Sequence, residues 1–345
     1  MSDKIRRVLV VMPNWFGEVL FATPFLRALR QAYPKSFIGA LGVIRGEEVL
    51  ANNPDLNEFI LFDEDGLHRT FRGKRALITV LRGRRFGTAF ILRKSLTRTL
   101  LVALAGIPNR IGFDNPKSGW LLTRRVRRPP GFTHKAQAYL RLLEHSGVMS
   151  ANTPPSCSYT VTDQERTAAR RLLQERGLGE GQLFVVLHAG ANWPHKRWPP
   201  ERFAALAARL IQQRHEVIVL TGGPDDEPLV SQISQQLDPP PITLVGSTTL
   251  RQLAACLEPA RLVVSNDTGI LHIACALHRP VVALYGPTSP AITGPLGDPT
   301  RTIVIHHPDC CPSVPCYSPH HPGRPGMASI TIDEVYDAAR RLLET

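Results

Sequence analysis

The sequence predicts an α/β protein of two doubly wound domains, each with a parallel sheet between helices. Short apolar runs alternate with stretches of helical periodicity, the pattern of parallel strands joined by crossover helices. At 147–156 the composition turns to Ser, Thr, Asn and Pro, and the same alternation then begins again. A chain of 345 residues is long enough for two such domains.

The first half opens with a strand, a turn and a helix. Residues 7–12 form an almost continuous apolar run, and turn residues follow at 13–18. Residues 19–33 repeat apolar side chains at helical spacing until Pro34 ends the pattern. Further apolar runs predict strands at 37–43, 59–62 and 88–92.

The second half repeats this order after a helix at 164–176, which Thr162 or Asp163 caps. The sequence predicts strands at 183–188, 216–221, 243–245, 261–265 and 281–285, and helices at 200–213, 226–236, 250–257, 269–277 and 332–343. Residues 308–327, rich in Pro, His and Cys, are predicted to form a long loop. We therefore expect an N-terminal domain at 1–155, a C-terminal domain at 156–330 and a C-terminal helix at 331–345.

Composition points to the cytoplasm. The six cysteines are too sparse and irregular for a disulfide framework, which favours a reducing compartment. The apolar run after the charged N-terminus is too short for a signal peptide, and no run approaches membrane-spanning length. Any contact with a membrane is therefore expected to be peripheral.

The net charge of +12 is concentrated in one window of the first half. Residues 69–128 hold 16 Lys and Arg against the single acid Asp114, which leaves a charge of −3 for the rest of the chain. Such a surface attracts nucleic acid, an anionic membrane or a phosphorylated acceptor. Charge alone does not separate these partners from a solvated surface without any partner.

Two loops after strands carry candidate catalytic residues, because ligands of open α/β sheets collect at the carboxyl ends of strands. Gly17, which is assigned to the donor site, and Glu18 follow the first strand, where the glycine allows a close backbone approach to a ligand and the carboxylate can accept a proton. Alternatively, Glu18 has no catalytic role and only stabilises the start of the following helix through the helix dipole. Gly190 and Lys196 follow the strand at 183–188 and suit a diphosphate, although the spacing is not that of a Walker loop.

Three later loops carry candidate donor contacts. Asp226 and Glu227 follow two glycines and suit the hydroxyls of a nucleotide's sugar, or merely cap a helix. Thr248 follows the next strand and is assigned to the same donor set. Asp267 and Thr268 cap a helix that Gly269 opens, which makes an anion site, and His272 lies one turn further on. A lone histidine there is more often structural.

The motifs resemble those of glycosyltransferase family 9, the bacterial lipopolysaccharide heptosyltransferases, and within it the heptosyltransferase II branch. The resemblance covers nearly the whole chain and is carried by residues 13–18, 106–112, 196–199, 266–269 with His272, and 279–288. It implies a GT-B fold, in which two Rossmann-like domains face a cleft. The first domain of such a fold binds the acceptor and the second binds the ADP-heptose donor.

The resemblance also implies site residues. The family's catalytic lysine falls on Lys196, its donor site on 267–269 with His272, and its general base on Glu18. The family usually has Asp at this last position, so the carboxylate here lies one methylene further out. Transfer is predicted to invert the anomeric carbon, with Glu18 as the base and Lys196 stabilising the departing ADP.

The predicted partners follow from this chemistry. The resemblance implies that the acceptor is the phosphorylated inner core of lipopolysaccharide at the cytoplasmic face of an anionic inner membrane. We expect Arg93, Lys94, Arg98 and Arg110 to bind it, and we expect no nucleic acid to be involved. We expect that no cofactor or metal is required, because a cation supplied by the protein can stabilise the departing diphosphate. Cys310, Cys311 and Cys316 lack a clear fourth zinc ligand, and their role stays open.

Two alternatives remain at this point. A transferase of the same family with another acceptor or sugar nucleotide would carry the same motifs. A non-catalytic nucleic-acid-binding protein would also use the basic window, although aromatic residues are few there and no nucleic-acid-binding motif is present.

Overall fold

The computed structural model describes residues 6–128, 131, 133–148, 155–308, 314, 316 and 326–344. Contacts divide the chain into two units, with the boundary between Thr160 and Val161. The sequence placed the domain boundary at 155–156. Among the described residues, no helix is both long enough and apolar enough to cross a membrane.

Unit 1 is a six-stranded parallel sheet whose strands are connected by helices. Its strands are β1 (Arg7–Val11), β2 (Phe37–Gly42), β3 (Glu58–Leu61), β4 (Thr88–Ile91), β5 (Asn109–Phe113) and β6 (Arg124–Val126). Its helices are α1 (Phe16–Phe21), α2 (Thr23–Ala32), α3 (Ile44–Leu50), α4 (Phe71–Gly83), α5 (Leu96–Leu104) and α6 (Lys135–Glu144). The strands run parallel in the order β3-β2-β1-β4-β5-β6. This is the order of the Rossmann fold.

The central strand β1 shows why the sheet forms. Val8, Leu9, Val10 and Val11 are completely buried, as a near-continuous apolar run must be when helices cover both faces of a parallel sheet. The sequence correctly marked this run as a strand. It did not mark β5 or β6, because β5 begins with Asn109 and Arg110 and β6 has only three residues.

The helix predicted at 19–33 is in fact two helices. α1 ends at Phe21, and α2 starts at Thr23 with Pro24 in its first turn. Proline lacks the amide hydrogen that would continue α1, but it is well tolerated at a helix start. Thr23 Oγ1 donates to Leu20 O at 2.8 Å and thereby closes the corner between the two helices.

Unit 2 repeats the architecture. Its strands are β7 (Phe184–His188), β8 (Val217–Thr221), β9 (Ile242–Thr243), β10 (Leu262–Asn266), β11 (Val281–Tyr285) and β12 (Thr302–His306). Its helices are α7 (Asp163–Glu175), α8 (Pro200–Arg214), α9 (Glu227–Ser234), α10 (Leu250–Leu257), α11 (Gly269–Ala276), α12 (Pro290–Thr293) and α13 (Ile332–Leu343). The parallel order is β12-β11-β10-β7-β8-β9, which is the order of unit 1 viewed from the other edge.

The C-terminal helix α13 belongs to the core of unit 2. Val335, Ala339 and Leu342 on its apolar face are buried, and the helix packs against α8 and the strands β10, β11 and β12. The capping box of Thr331 and Glu334 fixes where the helix starts. The residues that the sequence set apart as 331–345 therefore complete the second unit.

Candidate active site

The strand order locates one crevice in each sheet. Connections leave β1 and β4 in opposite directions in unit 1, and β7 and β10 do the same in unit 2. Ligands of open α/β sheets bind at the carboxyl ends of the strands at such a switch point. Glu18 and Arg93 follow β1 and β4, while Lys196 and Asp267 follow β7 and β10.

A buried ion pair stands at the switch point of unit 2. Lys196 Nζ lies 2.6 Å from Asp267 Oδ2, and the Thr288 hydroxyl donates to the same oxygen at 2.7 Å. His272 Nε2 is 3.8 Å from the other carboxylate oxygen. Only 8% of the Asp267 side chain is exposed, so its negative charge is stabilised by these neighbours rather than by water.

The pKa of Asp267 reflects these opposing influences. Burial raises the pKa of this carboxyl, but the positive charge of Lys196, together with His272 and the hydrogen bonds from Lys196 and Thr288, lowers it below its ordinary value. Asp267 is therefore ionised at neutral pH, and it holds the Lys196 ammonium in one place.

The same loop starts a helix. Thr268 is the N-cap of α11, with extended backbone angles, and its hydroxyl accepts the Leu271 amide at 3.5 Å. Gly269 is the first helical residue. The first turn of a helix presents backbone N–H groups and a partial positive charge, and here it lies beside the lysine-aspartate pair. An anion such as a phosphate suits this corner.

Asn266 joins the two loops of this crevice. Its side-chain amide donates to Ala189 O at 2.8 Å, and its Oδ1 accepts the Trp198 amide at 3.0 Å. Trp198 is fully buried, and its Nε1 donates to Ile330 O. Lys196 is thus held two residues from a fixed point in the core. The sequence identified Asn266 and Thr288 only as parts of motifs, since their partners lie far away along the chain.

Asp226 has its oxygens engaged within the protein. Arg197 lies 3.2 Å from Oδ1, and the Gly223 amide donates to Oδ2 at 3.0 Å. A Cβ on Gly190 would lie 2.2 Å from Oδ2, so only glycine allows this approach. The geometry thus gives Asp226 and Gly190 a role in joining two loops. Their predicted donor contacts stay predictions, as do those of the exposed Glu227 and the half-buried Thr248.

Glu18 lies in the first turn of α1, at the switch point of unit 1, with Gly17 before it. Lys135, the first residue of α6, donates from Nζ to Glu18 Oε1. Tyr139 is buried one turn further along α6, and burial and the charge of Glu18 raise its pKa. The sequence did not predict the Lys135 contact because no local pattern joins residues 117 positions apart.

The prediction that Arg98 contacts the acceptor is wrong in this structure, because its side chain is completely buried. Its guanidinium donates to Met12 O at 3.0 Å and to Asn14 Oδ1 at 2.6 Å. It also pairs with Glu64, which accepts a hydrogen bond from Asn14 as well. Arg98 therefore holds the loop that leads to Glu18 through hydrogen bonds to Met12 and Asn14.

The prediction that Arg110 contacts the acceptor is also contradicted by the structure. It is the second residue of β5 and lies towards the amino end of the strand, away from the crevice. Its guanidinium donates to Leu121 O and Ile107 O, both at 2.7 Å, so it closes a local turn. Arg93 and Lys94, in contrast, follow the carboxyl end of β4. They line a small cavity together with Asn115 and Ser118.

The cysteine-rich loop falls mostly outside the described residues, Cys310 and Cys311 among them. Cys316 is half-buried, and its amide donates to Pro287 O at 2.7 Å. Within the described part of the chain, no group of three His, Cys, Asp or Glu residues is arranged to hold a metal ion.

Two Rossmann-like units, the second with a helix start and a cation side by side at its switch point, are typical of two-domain α/β enzymes that act on nucleotide-linked groups. The model of glycosyltransferase family 9 (heptosyltransferase) matches residues 74–319, and the chain belongs to this family. The matched residues include Lys196 and Asp267, whereas Glu18 precedes them. The predicted family resemblance is thereby confirmed.

Curated proteins and solved structures agree with this family. Lipopolysaccharide heptosyltransferase 2 of Salmonella typhimurium is 28% identical over 304 residues, covering 86% of this chain and 87% of the relative. A family 9 glycosyl transferase from Veillonella parvula superposes with a TM-score of 0.89 at 27% identity, covering 100% and 99% of the two chains. The structure of E. coli ADP-heptose lps heptosyltransferase II has a TM-score of 0.82 at 27% identity over 98% of each chain. The predicted α/β, GT-B fold class is confirmed, and the chain is a glycosyltransferase.

Proposed function

We propose that this enzyme transfers heptose from ADP-heptose to the phosphorylated inner core of a lipopolysaccharide, at the cytoplasmic face of the inner membrane. The Lys196–Asp267 pair beside the start of α11 is the observation that carries the proposal. Asp267 fixes the Lys196 ammonium beside the backbone N–H groups at the start of α11, and these donors together suit a diphosphate. The switch point of an open α/β sheet is a common position for such a ligand, which supports the proposal. The names of the relatives supply the donor and the acceptor.

The donor half of the reaction uses unit 2. The pyrophosphate of ADP-heptose lies at the amides of Thr268 and Gly269, and the Lys196 ammonium stabilises the charge that grows on ADP as the glycosidic bond breaks. Asp267, which accepts a hydrogen bond from Thr288, already holds the lysine, so little reorganisation is needed during the reaction. A cation supplied by the protein serves this purpose without a metal ion.

The acceptor half uses unit 1. Glu18 removes the proton from the acceptor hydroxyl while the oxygen of that hydroxyl bonds to the anomeric carbon of heptose. ADP leaves from the opposite face of the same carbon. Lys135 holds the Glu18 carboxylate before the acceptor binds. Arg93 and Lys94 contact the acidic groups of the core, since they are the predicted acceptor residues that follow a strand at the crevice.

Product analysis tests the donor and the acceptor together. Purified enzyme is incubated with ADP-heptose and a heptose-deficient core acceptor, and the product is examined by mass spectrometry. We expect one added heptose and release of ADP, and little transfer from ADP-glucose or UDP-sugars. Transfer only from another sugar nucleotide, or only to another acceptor, would favour the alternative of a family 9 enzyme with different substrates.

A further inference from the structure

One helical layer of unit 1 has an unusual outer surface. The chain reverses direction across the sheet between β3 and β4, so α4 and α5 lie on the face opposite to α1, α2 and α3. α5 packs against α4 on one side and against the 3-10 turn Gly119–Leu121 on the other. We call these three elements the α4–α5 layer.

The outer side of the α4–α5 layer is apolar where solvent-facing helices are normally polar. Leu96, Leu100 and Leu104 of α5 are 46%, 38% and 48% exposed, and their spacing of four residues places them in one row. Trp120 in the adjoining turn is 65% exposed. The opposite face of α5 packs into the core through Leu101 and Val102. The exposed row is therefore additional to the residues that fold the helix.

Positive charge surrounds this apolar row. Arg72, Arg75 and Arg82 are exposed on α4, and Lys117 is exposed just before the turn. Arg82 Nη2 donates to Leu104 O at 2.8 Å, so the charge directly adjoins the leucine row. Asp114 is the only acid within 69–128, so little negative charge from this window compensates these cations.

We propose that the α4–α5 layer docks on an anionic lipid bilayer, with the leucine row and Trp120 in the interface and the arginines on lipid phosphates. A helix with an apolar row flanked by Arg, next to an exposed Trp, has the composition of an interfacial membrane helix. Nucleic acid would place its phosphates against leucines, and a second copy would bring two cationic layers together. The anionic bilayer satisfies both the apolar and the charged part of the surface.

This proposal gives the membrane contact of the proposed function a defined surface. Vesicle binding is measured without either sugar substrate, so its failure and the failure of heptose transfer are distinguishable. An enzyme that transfers heptose to a soluble acceptor but does not bind vesicles would contradict only the docking surface.

Vesicle flotation of the full-length protein tests the docking. We expect the protein to float with phosphatidylcholine vesicles that contain phosphatidylglycerol, to stay largely unbound with pure phosphatidylcholine, and to dissociate as salt is raised. The triple variant Leu96→Ser, Leu100→Ser, Leu104→Ser should bind the anionic vesicles at least about tenfold more weakly than the native protein. Leu183→Ser is the matched control, because this leucine is 57% exposed in unit 2 and should not affect vesicle binding.

Two double variants that remove arginines from different helices, together with a fluorescence measurement, complete the test. Arg72→Gln with Arg75→Gln should weaken binding to anionic vesicles, whereas Arg170→Gln with Arg171→Gln on α7 should not. Brominated lipids should quench the tryptophan fluorescence of the native protein, and Trp120→Phe should remove most of that quenching while it leaves the fold intact.

Three results would overturn the proposal. The first is equal binding to neutral and anionic vesicles, and the second is unchanged binding of the leucine variant. The third is self-association in sedimentation velocity that the leucine variant abolishes, without any vesicle binding, which would assign the layer to a second copy of the chain.

Discussion

At the scale of single residues, the crevice of each unit depends on which charges the fold brings together. Lys196 and Asp267 are 71 positions apart, and Glu18 and Lys135 are 117 apart, yet each pair makes direct contact. Each carboxylate follows a strand at the switch point of its own unit, and each forms an ion pair with a lysine. The two pairs differ in burial, because Asp267 is far less exposed than Glu18.

The first prediction concerns Glu18. Glu18→Gln keeps the shape of the side chain but removes the proton acceptor, so transfer should fall about a hundredfold or more while ADP-heptose binding stays nearly unchanged. Steady-state transfer rates and calorimetric titration with the donor measure the two quantities. Glu18→Asp, which restores a carboxylate, should recover much of the rate, and undiminished turnover of Glu18→Gln would remove Glu18 from the base role.

A second prediction separates the two roles of Lys196. Lys196→Met leaves Asp267 buried without its main partner, so the free energy of unfolding should drop by about 3 kcal/mol. Binding of ADP should also weaken by about tenfold or more, because the cation beside the helix start is lost. Denaturant unfolding and titration with ADP measure these effects. Lys196→Arg keeps the charge and serves as the comparison, and a Met variant with native ADP affinity would contradict the assignment.

At the scale of elements, helix caps also connect neighbouring helices. Thr162 and Glu165 form the capping box that starts α7, and Arg251 of α10 donates to Glu165 Oε2 at 2.7 Å. The sequence identified the cap, including Thr162 as a candidate N-cap. It did not identify the second role of Glu165, because α10 begins almost ninety residues further along the chain.

This contact predicts a defined pH dependence. The hydrogen bond from Arg251 lowers the pKa of Glu165 to about 2, while burial opposes the shift and Thr162 assists it. The unfolded chain binds the proton near pH 4.5, so this stabilisation is complete above that pH and is lost as pH falls towards 2. Arg251→Gln should therefore lower the urea midpoint at pH 7, with a smaller difference at pH 3.5.

The exposed Arg170 of α7 provides the control for this experiment. Arg170→Gln should leave the urea midpoint unchanged at both pH values, since surface charges away from close partners contribute little to stability. An Arg251→Gln midpoint difference that is as large at pH 3.5 as at pH 7 would show that Arg251 acts through packing instead of through the Glu165 charge.

At the scale of the whole molecule, the two units share one strand order without a detectable sequence repeat. Both units therefore place their switch points after corresponding strands, and the residues for donor and acceptor follow from this arrangement. The charge does not follow the same symmetry, because the positive window lies entirely in unit 1.

This asymmetry predicts how salt affects each substrate. Raising the ionic strength from 0.05 M to 0.5 M shortens the screening length from about 14 Å to about 4 Å. The KM for a phosphorylated core acceptor should rise several-fold, whereas the KM for ADP-heptose should change much less, because Lys196 and Asp267 are largely buried. Initial-rate kinetics with each substrate varied in turn measure both constants. Equal salt effects on both would argue against acceptor binding by the basic surface of unit 1.

The sequence by itself determined four of the six strands of unit 1, most of the strands and helices of unit 2, and the helix start at 268–269, because apolar periodicity, prolines and caps are local signals. In unit 1 it named a single helix, at 19–33, and left α3, α4, α5 and α6 unassigned. Only the tertiary structure decided that Arg98 supports the Glu18 loop from within, that Arg110 lies away from the crevice, and that Lys135 meets Glu18. Those outcomes depend on where the crossover connections return the chain. Residues distant in sequence meet through that packing, and no local pattern specifies it.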